Sequence, residues 1–205
     1  MSELERMLEG KIYDPNDEEL VKLRQNAHKL SKQYNDTFDF ENEKRKKILD
    51  ELMPFKGKNV YLQGPIYFDY GVNTTFGDNS FANFNLTILD VCKVTIGNNV
   101  FIGPNVSILT PLHPLRYQDR NPYLSEKEYI TDKEYGAPIT IKDNCWIAGN
   151  VTILPGVTIG KGCVIGAGSV VNKSIPDNSL AFGNPCVVKK TITEEDRLSL
   201  KKEIL

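Results

Sequence analysis

From Ile141 to Pro176 the apolar residues recur every six positions. The hexads read IKDNCW, IAGNVT, ILPGVT, IGKGCV, IGAGSV and VNKSIP. Each opens on Ile or Val: Ile141, Ile147, Ile153, Ile159, Ile165 and Val171. The fifth place is small or apolar in each: Cys145, Val151, Val157, Cys163, Ser169 and Ile175. Gly, Asn, Asp, Lys and Pro fill the places between, as turns require. On an α-helix a period of six scatters its apolar residues around the cylinder, so the pattern excludes an amphipathic helix. One short strand and one turn per six residues, stacked in parallel coils, is a parallel β-helix. Such coils bury their apolar faces only by stacking on one another, which makes several of them one cooperative unit.

The same rhythm is present earlier. Val60-Tyr61-Leu62, then Ile66 and Val72, lead into FGDNSF (76–81), ANFNLT (82–87) and ILDVCK (88–93). Val94 and Thr95 read as two surplus residues before IGNNVF (96–101) and IGPNVS (102–107). Hexads then stop from Leu109 to Pro138, a polar and aromatic segment with Pro111, Pro114 and Pro122, and resume at Ile139 to Ile141. The segment 109–138 is therefore a loop inserted between coils, and long insertions in compact domains usually carry function.

Ahead of the coils the spacing changes to that of helices. Ser2 to Leu8 predicts a short helix, with Ser2 as N-cap, Glu5 as its capping-box partner and Gly10 as its stop. Leu20, Leu23, Ala27, Leu30 and Tyr34 form one face of a second helix from about Asp17 to Tyr34. A third, from about Glu41 to Met53, presents Ile48, Leu49, Leu52 and Met53. The predicted organisation is a helical segment over 1–57, a β-helix over 58–190 and a tail over 191–205. Within the last stretches, Leu180-Ala181-Phe182 and Cys186-Val187-Val188 read as strands around Gly183-Asn184-Pro185. Thr193 to Leu205 reads as a short helix covering the last coil.

Composition narrows the function classes. The 205 residues carry 25 basic and 27 acidic side chains, a formal charge of −2, so no polycationic footprint points to nucleic acid. No run of 18 apolar residues is present and MSELERMLEG is charged where a signal peptide would be apolar, which predicts neither membrane insertion nor secretion. Cys145 and Cys163 stand 18 residues apart at the fifth place, one triangular coil of three hexads, and Cys92 takes the same place earlier. They are expected as buried, reduced core residues of a cytoplasmic protein.

Two histidines are present, His28 and His113. His28 lies off the apolar stripe of the second helix and reads as a surface residue distant from the coils. His113, in Thr110-Pro111-Leu112-His113-Pro114-Leu115, stands where the scaffold gives way to the insertion, between two prolines. Histidine is the side chain type suited to a general base near neutral pH. One loop histidine supplies no three-histidine zinc site, so no metal is expected, and a carbonic anhydrase on the same solenoid is disfavoured. Neither GxxxxGK[ST] nor a GxGxxG after a strand is present, and Gly166-Ala167-Gly168 is a hexad turn or a close-approach point for a ligand.

The hexads, Phe81-Ala82-Asn83-Phe84-Asn85, TPLHPL, the N-terminal MLEGKIYDPNDEEL and the closing IGAGSVVNKSIPDNSLAFGNPCVV together resemble the maltose and galactoside O-acetyltransferases. These are hexapeptide acyltransferases, and the resemblance spans nearly the whole chain. It implies a left-handed β-helix, three subunits side by side, and acetyl-CoA in the groove between neighbouring solenoids. His113 matches the family's catalytic histidine, which takes the proton of an acceptor hydroxyl, and Asn83 an asparagine of the reaction site.

For the acceptor, the resemblance points to Asp14, Asp69, Asn83 and Asp90, and Glu134, before Tyr135-Gly136, is a candidate partner for the acceptor or for His113. The acidic residue of the galactoside enzymes falls nearer Val91 than Asp90, which leaves the sugar open. For CoA it points to Gly149, Ala167, Asn172, Lys173, Val187 and Lys190, with Val187 standing where an arginine is common. Trp146, at a hexad's outward sixth place where a structural residue would be polar, reads as lining the same groove. The leading expectation is a homotrimeric O-acetyltransferase acting from acetyl-CoA on a maltose-, glucose- or galactoside-like sugar. Its alternatives are acetylation of antibiotics or other xenobiotics, and a catalytically silent trimeric scaffold.

Overall fold

The structure, a computed structural model, describes residues 1–200. Three helices come first: α1 (Glu3–Leu8), α2 (Glu18–Asn35) and α3 (Asn42–Leu52). Ser2 and Glu5 close the expected capping box on α1. The helix ends in a Schellman turn: Gly10 at φ +70° donates to the Met7 carbonyl and Lys11 to that of Arg6. Asp17 caps α2 by accepting from the Glu19 amide. Leu20, Ala27, Leu30 and Tyr34 are buried beneath α2, as are Ile48, Leu49 and Leu52 beneath α3.

The solenoid follows. Its first coil holds β1 (Tyr61–Leu62), β2 (Ile66–Phe68) and β3 (Thr74–Phe76), and its second β4 (Phe81–Ala82), β5 (Leu86–Leu89) and β6 (Val94–Ile96). The third begins with β7 (Phe101–Ile102) and β8 (Ser107–Leu109). The insertion then leaves as β9 (Pro111–Leu112), α4 (Tyr117–Arg120), β10 (Tyr123–Leu124), β11 (Ile130–Thr131) and β12 (Tyr135–Gly136), and β13 (Ile139–Ile141) completes the coil. The fourth is β14 (Trp146–Ile147), β15 (Thr152–Ile153) and β16 (Thr158–Ile159). The fifth is β17 (Val164–Ile165) and β18 (Val170–Val171), closed by a bridge from Ile175 to Ile159. β19 (Ser179–Phe182) stacks parallel on β17, and β20 (Val187–Thr191) returns antiparallel to it.

Parallel pairing sorts these strands into three faces: β1-β4-β7-β14-β17-β19-β20, β2-β5-β8-β15-β18, and β3-β6-β13-β16. The residues that open the hexads and those at the fifth place are buried, and all but Ser80, Cys92 and Ser169 form one core with the apolar sides of α2 and α3. Asn144, Asn150, Gly156, Gly162 and Gly168, each at the fourth place of its hexad, have φ between +57° and +80°. That left-handed turn is why this place admits only Gly and Asn in those five coil corners.

Several local expectations are corrected. Val94 and Thr95 are not surplus: they pair in register with Ile139 and Thr140 on one side and Thr74 and Thr75 on the other. The extra residues sit ahead of β6, at the corner around Asp90 and Val91. The first coil is widened at the equivalent corner, so Val72 lies outside the solenoid core, where Thr74 and Phe76 take the inward positions. Cys92 is buried, yet it leaves the stack of Cys145 and Cys163 and packs with Met7, Tyr13, Leu20, Tyr70 and Val91 beneath the N-terminal segment. The insertion is ordered by two antiparallel pairs, β9 with β12 and β10 with β11. In the tail, two 3₁₀ turns at Glu194–Asp196 and Leu198–Leu200 replace the expected helix, with Leu198 exposed; residues 201–205 of that expectation lie outside the described residues.

Candidate active site

The widened corner between the second and third faces organises the candidate site. Asp69 stands there in the first coil, Asp90 in the second, and the insertion departs from it in the third. The N-terminal segment docks on the same corner: Tyr13 and Glu134 exchange backbone hydrogen bonds of 2.9 and 3.3 Å. The Tyr13 phenol, 2% exposed, donates to Glu134 Oε2 at 2.5 Å. Burial, with Glu134 beside it, pushes the Tyr13 hydroxyl well above its ordinary pKa, so it remains a donor.

His113 follows β9 and is 45% exposed at its side chain. Its Nδ1 lies 3.5 Å from Asp132 Oδ2 and its Nε2 3.7 Å from Glu134 Oε1. These are ion-pair rather than tight hydrogen-bond distances, as is common before substrate binds. Asp132 escaped the sequence reading because the insertion has no hexads. The one usable signal was its two-residue spacing from Glu134, which puts both on one side of an extended segment. Among the described residues, His113, Asp132 and Glu134 bring one donor atom each within 4.8 Å of the others. What converges is one imidazole and two carboxylates, and Glu134 is already engaged by Tyr13.

Beside this cluster is a polar cavity of about 230 Å³ lined by Asn16, Arg24, Asp69, Tyr70, Asp132 and Glu134, among others. Burial, followed by the charges of Asp90 and Glu134, raises the Asp69 pKa to about 6. Asp14 lies next to the cavity but its carboxylate is occupied. It accepts from the Tyr129 and Thr131 hydroxyls and, at 2.9 Å, from the Asn16 amide. Burial pushes the Asp14 carboxyl up, and these hydrogen bonds outweigh it, holding the group below its ordinary pKa. Asp14 therefore fastens the N-terminal segment to the insertion.

Asp90 does not face the cavity. It is fully buried and accepts from the Tyr70 amide at 2.8 Å and the Thr74 hydroxyl at 2.9 Å. Its carboxylate ties together the extra residues of the widened corner, where a sugar hydroxyl has no approach. His28, read as distant from the coils, instead lies with its Nε2 3.8 Å from Asp69 Oδ1.

The remaining candidates occupy other edges of the solenoid. Asn83 sits at the corner between the first and second faces, its Oδ1 accepting from the Phe84 amide at 2.7 Å. Gly149 and Ala167 share that corner, since Asn83, Gly103, Ala148 and Gly166 succeed one another up the ladder of coil-to-coil hydrogen bonds. A side chain at Gly149 would meet Pro104 at 3.3 Å. Trp146, 54% exposed, stands on the first face in line with Phe81 and Phe101. Asn172 and Lys173 are exposed just beyond β18, on the corner that carries His113. Val187 and Lys190 lie exposed on β20, with Lys190 paired to Asp196. One chain thus gathers His113, Asp69 and Glu134, and leaves Asn83, Gly149 and Ala167 at a separate corner. A cleft of about 650 Å³ between α3 and the first coil contains none of these residues.

A parallel β-helix of six-residue turns with a loop-borne histidine defines the hexapeptide-repeat acyltransferases as a class. Two family profiles match: "Maltose acetyltransferase hexapeptide capping motif" over residues 6–54 and "Bacterial transferase hexapeptide (six repeats)" over 138–173. The chain is 48% identical to a maltose O-acetyltransferase from Clostridium difficile 630, over 95% of this chain and 99% of that one, with a TM-score of 0.86. A galactoside acetyltransferase solved in complex with coenzyme A is 38% identical over 98% and 97% of the two chains, with a TM-score of 0.87. The galactoside O-acetyltransferase of Escherichia coli K12 is 41% identical over 94% of this chain and 91% of its own length. The chain belongs to the maltose and galactoside O-acetyltransferase family and is an acetyltransferase of that type.

Proposed function

We propose that the protein transfers the acetyl group of acetyl-CoA to a hydroxyl of a maltose-, glucose- or galactoside-like sugar, with His113 as general base. The observation that carries this reading is His113 held between Asp132 and Glu134 at the edge of a polar cavity. Each ring nitrogen faces a carboxylate; with the proton on Nδ1 toward Asp132, the nearer one, the Nε2 lone pair accepts the hydroxyl proton of an acceptor that stands between it and Glu134. The deprotonating oxygen attacks the thioester carbonyl carbon and forms a tetrahedral intermediate. Its collapse breaks the C–S bond, and the imidazolium returns the proton to the departing thiolate. An alkanol is a weak nucleophile at neutral pH, and a positioned base contributes about 10²–10⁴-fold. Asp69 and Glu134 are placed to accept from sugar hydroxyls in the cavity.

The coenzyme reading takes Trp146, Gly149, Ala167, Asn172, Lys173, Val187 and Lys190 as the groove, and needs no metal. Because Asn83, Gly149 and Ala167 lie on another corner from His113, they join it only across an interface between subunits. A closed homotrimer meets that need and also covers exposed Phe101 and Trp146, with half-buried Phe81 in line with them. Among the described residues no helix is long and apolar enough to cross a membrane.

The test is thiol release from acetyl-CoA with glucose, maltose, glucosides, galactosides and hydroxylated antibiotics as acceptors. Sugar-dependent release is expected. Release with antibiotics alone would replace the acceptor class, and no release with any acceptor would return the chain to a scaffold.

A further inference from the structure

A second cavity, of about 510 Å³, shares Asp69 with the candidate acceptor pocket. One wall is α2, the other the edge of the second face at Tyr67, Phe68, Asp69 and Leu89. Asp69 lines both cavities, Arg24 the first and His28 the second. Arg24, His28, Ser31 and Asn35 follow one another at helical spacing, so a single face of α2 runs along both. The first cavity is also lined by Asp132 and Glu134, the carboxylates that flank His113.

The chemistry of the second cavity is selective. Burial, followed by the Arg24 charge, lowers the His28 pKa, so around neutral pH its imidazole offers one neutral donor and one acceptor beside the Asp69 carboxylate. Lys32 and Asp36 offset each other's charge at 2.8 Å. Tyr67 is 50% exposed and presents a flat aromatic ring. Ser31, 4% exposed, has a hydroxyl with no hydrogen-bond partner at the α2 wall. The Asn35 amide is spent on the backbone N–H and carbonyl of Ile66, at 2.7 and 2.9 Å, which fixes the two walls together. The lining carries no net positive charge, which disfavours an anion, and its apolar part is the wall at Tyr67, Phe68 and Leu89, opposite the polar side chains of α2. A flat ring face with neutral donors and acceptors around it matches a sugar ring, whose C–H face packs on an aromatic while its hydroxyls bond at the edge.

We propose that this cavity along α2 is a second acceptor subsite, binding the sugar unit next to the one that is acetylated, with His28, Asp69 and Tyr67 as its contacts. This rests on the acetyl-transfer reading for the order of the two cavities, and predicts a preference for disaccharides over their component sugars.

The test compares kcat/KM for glucose with maltose and for galactose with lactose, in the parent protein and in His28→Ala and Tyr67→Ala. Both substitutions are at exposed side chains, so folding is expected to survive; thermal melts check it. The parent is expected to favour the disaccharide of its preferred pair. Each variant is expected to lose about tenfold on that disaccharide, the effect of one or two contacts of ordinary strength, with a loss under twofold on the monosaccharide. Equal losses on both sugars, no loss on either, or a parent indifferent to the second sugar would overturn the proposal. Calorimetric titration of the same proteins with maltose and lactose in the presence of CoA reads the subsite without turnover. Disaccharide binding weakened by His28→Ala would uphold the subsite even if no acetyl transfer occurred, and that outcome would count against the transfer reading alone.

Discussion

The phenol of Tyr13 reaches across from the N-terminal segment to the carboxylate of Glu134 in the insertion, at 2.5 Å, and the other oxygen of that carboxylate faces His113. Two segments 121 residues apart in sequence thereby hold one side of the candidate active site. The Asp14 contacts with Tyr129 and Thr131 repeat the connection one residue further on.

Tyr13→Phe is expected to keep the ring packed and remove only this bond. Glu134 is then left half-buried with one oxygen unpaired. The expected loss is about 1–2 kcal/mol in urea or thermal unfolding, together with a lower kcat/KM for the acceptor as Glu134 moves from its place beside His113. Unchanged stability would mean that the phenol does not hold the insertion.

Asp69→Asn probes the raised carboxyl pKa of about 6 at this position. A folded-state pKa above the unfolded value means that the native state binds the proton more tightly. Asp69 therefore weakens folding as pH rises from about 4 to 6, with the full penalty above that window. The asparagine variant is expected to be more stable than the parent at pH 8, on the order of 1–2 kcal/mol, with the difference vanishing near pH 4. Thermal melts across that range check the sign. A variant less stable than the parent at pH 8 would contradict the buried, strained carboxylate.

The β-helix was legible because the demands on each hexad are local: an inward Ile or Val, a small fifth residue, and a fourth that accepts a left-handed turn. Each can be read one coil at a time without knowing the neighbours. His113 was legible from its place at the root of the insertion and from the TPLHPL segment. Asp90 was not, because its role depends on coils widened to 20 residues, as the pairing of Leu62 with Ala82 and Ala82 with Ile102 shows. Its carboxylate turns inward to satisfy amides that a shorter corner would not expose. Asp132 and the approach of His28 to Asp69 depend on how the insertion and α2 fold back, which no repeat encodes. Cys92 shares its hexad place with Cys145 and Cys163, but the widened corner carries it out of their column.

Arg45 shows the same limit. The spacing of α3 marks Ile48, Leu49 and Leu52, whereas Arg45 is 4% exposed. Its guanidinium donates to the Leu62 carbonyl at 2.6 Å, the Gln63 carbonyl at 2.8 Å and the Tyr34 hydroxyl at 2.9 Å, and pairs with Asp39. It joins α2 and α3 to the first coil. Arg45→Ala is expected to cost roughly 2–4 kcal/mol, because the fork joining Tyr34, Leu62 and Gln63 is lost and only the Leu62 carbonyl keeps a second donor, the Tyr34 hydroxyl. Arg45→Lys is expected to recover little, because an ammonium cannot reproduce the planar fork of donors. Chemical unfolding followed by Trp146 fluorescence measures both, and a small loss in the alanine variant would contradict this account.

The central claim is that His113 removes the acceptor proton. The most direct measurement is steady-state kinetics of His113→Ala with acetyl-CoA and the best sugar acceptor. The residue sits on the insertion, outside the solenoid core, so the variant is expected to fold. Its kcat should fall at least ~10²-fold, the low end for loss of a general base. The KM for acetyl-CoA should change little, since the proposed coenzyme groove lies along the coils from Trp146 onward. A folded variant with near-parental turnover would contradict the account.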